Sequence, residues 1–442
     1  MKEQKNEEQG LNVSAKSFIT AILVIFVLMV LTYGLTFVVP GGGIPFWQWA
    51  LSPILVLGSE GNGSLIGVIV FLLVIGGVFN CLDKSGLMIY MLENITERFG
   101  KDRYKLLAYV SLFFMGMGSF IGSFEECVPL VPIMIALSIR LGWDALVGVG
   151  MSMLAIGCGF AAGVCNPFTV GVAQQVAGLP MFSGAGYRAV CFVIIYALLV
   201  FFLTRYAKKV ERPIEENQTF LTATDSKMDK ALKTFLCIMI VGILLVFSSV
   251  FVTALQDLTM IIVAITFLAA GITASRMSGR LGNLFMTFGN GIVTIFPAVF
   301  MILMANSIKY TLVEGNVLET LLQAAIAIAS TLPGWSVILF IYLIVLVMNF
   351  FISSGSAKAF LLMPLIVPVA EAFGISAQLC VLAFAFGDGF SNVMYPTNAV
   401  LLIALGIRGV DYGKWLKWSL PFQLVNIVVT SGLLLIGFAI GY

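Results

Sequence analysis

The chain contains no histidine, and only 10% of its 442 residues are charged. Without an imidazole there is no Ser-His-Asp triad, no histidine proton relay and little of zinc chemistry. Cysteine is sparse: Cys81, Cys127, Cys158, Cys165, Cys191, Cys237 and Cys380 fall within or beside apolar segments, with no Cys-x-x-Cys pair. They read as small reduced hydrophobes, which excludes a disulfide frame and a cysteine metal site. Net charge is only +2 and the cations sit in short loops, so nucleic-acid binding has no support. What is present in excess is apolar: 60% of residues are hydrophobic and mean hydropathy is +1.05. A soluble domain of this length has no interior large enough for that surface, so the chain reads as an all-α polytopic membrane protein. Its first apolar run, 18–39, is too long for a signal-peptide core and is expected to stay as the first membrane helix.

Loop charge sets an orientation, because Lys and Arg favour the cytoplasmic side. Residues 1–17 carry Lys2, Lys5 and Lys16, whereas 40–63 carry no cation. The N-terminus is therefore expected in the cytoplasm, with 18–39 running outward and 64–82 returning. The stretch 85–99 reads as an amphipathic interfacial helix within a basic segment (Lys84, Arg98, Lys101, Arg103, Lys105). Between Lys105 and Arg140 lie two apolar arms of about 14 residues, or about 21 Å as helix, short of the ~20 residues of a full span. Hence 105–140 is expected to be a re-entrant hairpin, followed by a broken helix over 145–177. The polar stretch 207–231 is a cytoplasmic linker between one half, 18–206, and another, 232–442. The second half is expected to hold a hairpin over 335–373 and a broken helix over 377–406, with an amphipathic segment over 317–332 and the C-terminus outside the cytoplasm of a cell (inner) membrane protein. In this arrangement only Arg188, Lys309 and Lys358 of the 24 cations are non-cytoplasmic.

The two halves carry a weak duplication. Gly122 pairs with Ile352, Gly142 with Gly374 and Pro167 with Pro396, each at an offset of roughly 230 positions. Each copy reads as a polar tip (Ser119-Phe-Ile-Gly-Ser-Phe-Glu-Glu126; Asn349-Phe-Phe-Ile-Ser-Ser-Gly-Ser356), an apolar arm, and a helix interrupted at Asn166-Pro167 or Tyr395-Pro396-Thr397. With the orientation above, the halves are inverted repeats. Paired interruptions of this kind point to a transporter's binding site near mid-membrane.

Several stretches also carry a resemblance: Asn349 to Ser356, Phe386-Gly-Asp-Gly-Phe-Ser-Asn392, Tyr395-Pro-Thr397, Tyr412-Gly-Lys-Trp-Leu-Lys417, Ala145-Leu-Val-Gly-Val149 and Asn166-Pro-Phe168. Together they resemble the YfcC-type branch of the anaerobic four-carbon dicarboxylate carrier family, which includes proteins named as basic amino-acid and arginine/ornithine antiporters. That family is similar to the wider ion-transporter superfamily. The resemblance implies a scaffold domain and a mobile transport domain, an elevator mechanism, and relatives that are often homodimers through the scaffold. Three departures stand out: Ser353 where the resemblance leads one to expect Pro, Lys358 where a neutral residue is usual, and Cys165 at a position that Val or Thr would equally suit.

The candidate substrate residues are Glu125, Glu126, Asn166, Pro167, Thr169, Ser354, Gly355, Ser356, Lys358, Asp388, Pro396 and Thr397. Asn-Pro is an N-cap followed by a first-turn proline, which starts a half-helix whose positive end faces an anion. Glu125, Glu126 and Asp388 are in-membrane carboxylates, able to hold an ammonium or guanidinium group, a proton or Na⁺. The glutamates read equally as a solvated tip, and Asp388 as a cap within its break. Lys358, the one mid-membrane cation, pairs with a carboxylate, clamps a substrate carboxylate, or snorkels. Ser119, Ser123, Asn166, Ser353, Ser391, Asn392 and Asn398 supply the oxygens that Na⁺ takes at broken helices, or equally hydrogen bonds between packed helices. No organic cofactor is expected; coupling is to Na⁺ or H⁺. Ala385-Phe-Gly-Asp388 lacks the first glycine of a Gly-x-Gly-Asp protease motif, no phosphate loop appears, and polar residues cluster at two points instead of along a pore. Transport of a small molecule across the lipid bilayer is the expected function. A basic or zwitterionic amino acid fits both the carboxylates and the cationic elements; a four-carbon dicarboxylate fits only the latter.

Overall fold

A computed structural model describes residues 15–59, 63–99, 102–122, 124–213, 225–248, 259–329, 331–406 and 409–442, and every regular element among them is helical. The first half holds α1 (Ala15–Thr36), α2 (Gly63–Lys84), α3 (Leu87–Phe99), α4 (Arg103–Gly116), α5 (Val131–Arg140), α6 (145–162), α7 (167–176) and α8 (Ala185–Val210). The second holds α9 (Ser226–Ser248), α10 (Thr259–Met277), α11 (Leu284–Glu314), α12 (Val317–Ala329), α13 (Gly334–Phe351), α14 (Gly355–Ala372), α15 (Ala377–Ser391), α16 (Ala399–Gly406) and α17 (Tyr412–Ala439). In lipid each backbone polar group must be satisfied within the chain, which is why apolar runs of this length become helices. Among the described residues seven helices are long and apolar enough to cross a membrane. The chain is thus a multi-pass membrane protein.

Polar residues mark the helix starts. The side chains of Asp144, Asn283, Ser376 and Asp411 each accept a hydrogen bond from the backbone amide three residues on, at 2.9–3.1 Å, opening α6, α11, α15 and α17. Between α2 and α3 the chain bends by 75°. That is the turn an amphipathic helix needs to leave a spanning direction.

Two packing groups emerge. In one, α11 lies along α1 and α2, and α10 bridges α2 to α9. In the other, the broken helix formed by α6 and α7 crosses α15, with α4, α8, α13, α14 and α17 around them. The crossing is close: a Cβ on Gly389 would stand 2.0 Å from the amide nitrogen of Ala161, so only glycine permits it.

Each segment read as a hairpin folds as two helical arms around a turn; in 105–140 the leading arm is longer than the sequence reading of about 14 residues, while the returning arm holds the 10-residue helix α5. Helix begins at Arg103 and continues through a single π turn, Met117–Ile121, giving a first arm of 19 residues. The polar residues Ser119 and Gly118 that read as tip are therefore the last turn of the arm. The turn itself is at Gly122, whose φ of 78° is the left-handed conformation that glycine adopts freely. In the second hairpin α13 and α14 are 18 residues each, with only Ile352, Ser353 and Ser354 between them.

Candidate functional site

Each hairpin tip is tied to the helix break of its own half. In the first half, Ser119 Oγ accepts from the Val164 amide at 3.0 Å, and Asn166 Nδ2 donates to the Gly118 carbonyl at 3.0 Å. Asn166 Oδ1 accepts from the amides of Phe168 and Thr169, the N-cap expected from Asn-Pro. In the second half, Asn349 Nδ2 donates to Ser391 Oγ at 2.6 Å, and to Asn392 Oδ1 and the Asp388 carbonyl at 3.2 Å. The cap here is Asn398, whose Oδ1 accepts from Val400 and Leu401. Pro396 lies two residues before it, in the turn, so the second half-helix starts later relative to its proline than the first.

A cavity of ≈300 Å³ lies where these structures meet. The first tip contributes Gly122, Phe124 and Glu125; the first turn of α7 contributes Phe168 and Thr169. The second tip contributes Ser353, Ser354, Gly355 and Ser356, and the second break Asp388, Asn392, Thr397 and Asn398. The far wall belongs to α11, through Ile302, Ala305, Asn306 and Lys309, and Phe124, Phe160, Phe168 and Phe351 give the space apolar sides.

Ten of the sequence-derived candidates line this cavity: Glu125, Thr169, Ser353, Ser354, Gly355, Ser356, Asp388, Asn392, Thr397 and Asn398. Asn166, Pro167, Pro396, Ser119, Ser391 and Lys358 do not; they build its walls from behind. Ser123 and the side chain of Glu126 lie outside the described residues.

Lys358 is fully buried, and its ammonium meets three oxygens: Asp388 Oδ1 at 2.7 Å, the Ile352 carbonyl at 3.1 Å, and Asn349 Oδ1. The Asp388 contact is an ion pair by distance, off the direction of a good hydrogen bond. Two of the three ammonium donors go to Asn349 and Ile352, and the charge of Lys358 is matched by Asp388, so it is not free to clamp a substrate carboxylate. Asp388 is inside α15 and caps no helix.

Four polar atoms of buried cavity residues lack a hydrogen-bond partner: Thr169 Oγ1, Thr397 Oγ1 and both Asp388 carboxylate oxygens, of which Oδ1 has only the Lys358 ion pair. Each unmet group costs about 1–3 kcal/mol. Their convergence on one space is what a polar ligand would relieve. Two charged residues, Glu125 and Lys309, line the same space, and neither takes part in an ion pair among the described residues.

Lys309 is a site residue that the motifs did not supply. It sits on α11, in the other packing group, and its sole signal in the sequence was a non-cytoplasmic cation without a function. Lys309 and Ala357 also line a second cavity of ≈670 Å³ that runs past Asn316, Glu319, Gln323 and α14.

The family model described as "C4-dicarboxylate anaerobic carrier" matches residues 49–439. "Putative basic amino acid antiporter YfcC" of Escherichia coli (strain K12) is 31% identical over 405 residues, 84% of this chain and 78% of that one. An uncharacterized protein of Haemophilus influenzae is 25% identical over 399 residues, 85% of this chain and 76% of its own. Among solved structures, the YdaH transporter of Alcanivorax borkumensis is similar in fold, with a TM-score of 0.50 and 16% identity over 96% of this chain and 99% of that one. The chain belongs to the C4-dicarboxylate anaerobic carrier family.

Proposed function

We propose that the protein is a secondary transporter of zwitterionic or basic amino acids, which bind in the cavity between the two hairpin tips. The observation that carries this reading is the charge balance of the cavity. Asp388 and Lys358 neutralise one another. Glu125 and Lys309 remain, an acid and a base lining one polar space. An α-amino acid presents an ammonium and a carboxylate together, and both cavity charges then gain a partner. A dicarboxylate would leave Glu125 facing like charge, an unfavourable contact in a partly dehydrated space.

The half-helix N-termini support carboxylate binding less than their dipoles imply, because Asn166 and Asn398 each already cap two amides. Lys309 therefore takes the carboxylate. The residual acceptors, Asp388 Oδ2 and the two threonine hydroxyls, suit a guanidinium or a second ammonium, which favours a basic side chain. The relative named as a basic amino acid antiporter agrees with this chemistry. The transport cycle is an elevator in which the tips and breaks move as a block against the group containing α11. The repeats are inverted, and the larger cavity past Lys309 is the access route from the extracytoplasmic side.

Counterflow in proteoliposomes tests the reading: labelled arginine outside, with ornithine, succinate or buffer inside. Internal ornithine should drive arginine entry, and Glu125→Gln and Lys309→Gln should each abolish it. Entry of labelled succinate in place of arginine, surviving Glu125→Gln, would establish a dicarboxylate carrier instead.

A further inference from the structure

We infer that the Lys358 ammonium is a built-in replacement for a bound sodium ion, so that this carrier works without sodium. The oxygens around it are one carboxylate (Asp388), one side-chain amide (Asn349) and one backbone carbonyl (Ile352). This is a hard-cation donor set, all oxygen, with the carbonyl taken from the point where a helix has unwound. Ile352 is the C-cap of α13 with extended backbone, so its carbonyl turns away from the helix ladder. The pocket that these oxygens form is already filled by a cation that cannot leave. Lys358 is in the first turn of α14, and its side chain is 0% exposed.

Charge explains why one cation is needed and why two are excluded. A carboxylate buried in a membrane protein must be paired. Lys358 provides that pairing through every stage of a transport cycle, whereas a free ion would have to be recruited and released. A sodium ion entering the same three oxygens would face the ammonium at contact distance. Five of the other oxygens that the sequence offered for sodium already have partners: Asn392 Oδ1 accepts from Asn349 and Asn398, Asn398 Oδ1 and Asn166 Oδ1 each from two amides, Ser391 Oγ from Asn349, and Ser119 Oγ from Val164.

The inference is read first by binding, which does not depend on the proposed substrate. Thermal unfolding of the purified full-length protein is followed in sodium chloride and in choline chloride. The wild-type melting temperature should be the same in both. Lys358→Met, which empties the oxygen cage and leaves Asp388 unpaired, should melt lower in choline and rise with sodium concentration, as for any ligand that binds only the folded state. The rise should vanish in Lys358→Met with Asp388→Asn. Sodium stabilisation of the wild type, or a folded Lys358→Met that ignores sodium, would overturn the inference. Should Lys358→Met not fold in either salt, the wild type decides alone, by sodium's presence or absence of effect. A second arm rests on the transport reading: arginine–ornithine exchange should proceed undiminished when choline replaces sodium on both sides, and its loss there would also overturn the inference. Failure of exchange in both salts counts against the substrate and leaves the binding result standing.

Discussion

At the scale of single residues, the second tip is organised by one buried ion pair. Removing one partner of such a pair leaves a bare charge, at a cost of about 3–5 kcal/mol, while removing both is often close to neutral. Asp388→Asn should therefore destabilise the protein more than Asp388→Asn combined with Lys358→Met, measured by thermal unfolding in choline; equal or additive losses would mean the pair is not coupled. Glu125 behaves differently. Its loss should abolish exchange while leaving the melting temperature nearly unchanged, because among the described residues it takes part in no ion pair. Asp388, Glu125 and the serines of the second tip were legible in the sequence, since charge or polarity inside an apolar run is rare enough to be conspicuous. Lys309 was not, because it stands in a long helix, distant in sequence from both tips, and reaches the site only through the packing of α11. Asn349 was legible as part of a tip, but not as the hub that holds Lys358, Ser391 and Asn392 together.

At the scale of elements, the broken helices stand on local chemistry that sequence shows well. Asn166 was identifiable as a cap from the proline that follows it. Asn398 was hidden because its proline precedes it, and nothing in Pro-Thr-Asn distinguishes the cap from the turn. Replacing either asparagine by alanine should cost about 1 kcal/mol, reaching ~2 where the amides are buried. The same variants should lower exchange, since both caps lie at the cavity wall; unchanged flux with lowered stability would confine them to folding. The crossing of α6 with α15 was not legible, because nothing in either segment says which helix it packs against. Gly389→Ala places a methyl 2.0 Å from the Ala161 amide, and overpacking of this kind costs about 1–3 kcal/mol. Gly432→Ala, with nothing within 4 Å of the new methyl, is the matched control and should be neutral or mildly stabilising. On the polar side, Asp225 opens α9 by accepting from the amides of Lys227 and Met228 and from Arg280, and these bonds hold its carboxyl below the ordinary 3.8. A depressed value means its contribution is complete above 3.8 and fades as pH falls through the lower folded value. Amide exchange at Lys227 and Met228 should accelerate in that acid range, and Asp225→Asn should remove the pH dependence.

At the scale of the whole molecule, the cavity lies on the boundary between two packing groups. Tips and breaks form most of its wall, and α11, which packs along α1 and α2, closes the rest. The long apolar helices and the duplicated breaks made a carrier legible from sequence alone. The partition into two groups is a property of which helix faces meet, and hydropathy carries no record of it. The boundary has a mechanical consequence under the proposed elevator. Residues that face each other across it must separate during transport, while those within the tip-and-break block must not. Asn306 on α11 and Ser356 on the second tip are such a pair, each lining the cavity from its own group. In a background freed of the native cysteines, Asn306→Cys with Ser356→Cys should be cross-linked by a short bifunctional reagent, and the cross-link should stop exchange until it is cleaved. A pair inside the block, Ser353→Cys with Asn392→Cys, should leave exchange largely intact when cross-linked. Exchange that continues through the Asn306–Ser356 cross-link would mean that the substrate passes without relative motion of the two groups. Arrest by the Ser353–Asn392 cross-link would place the essential motion in the hairpin tip itself.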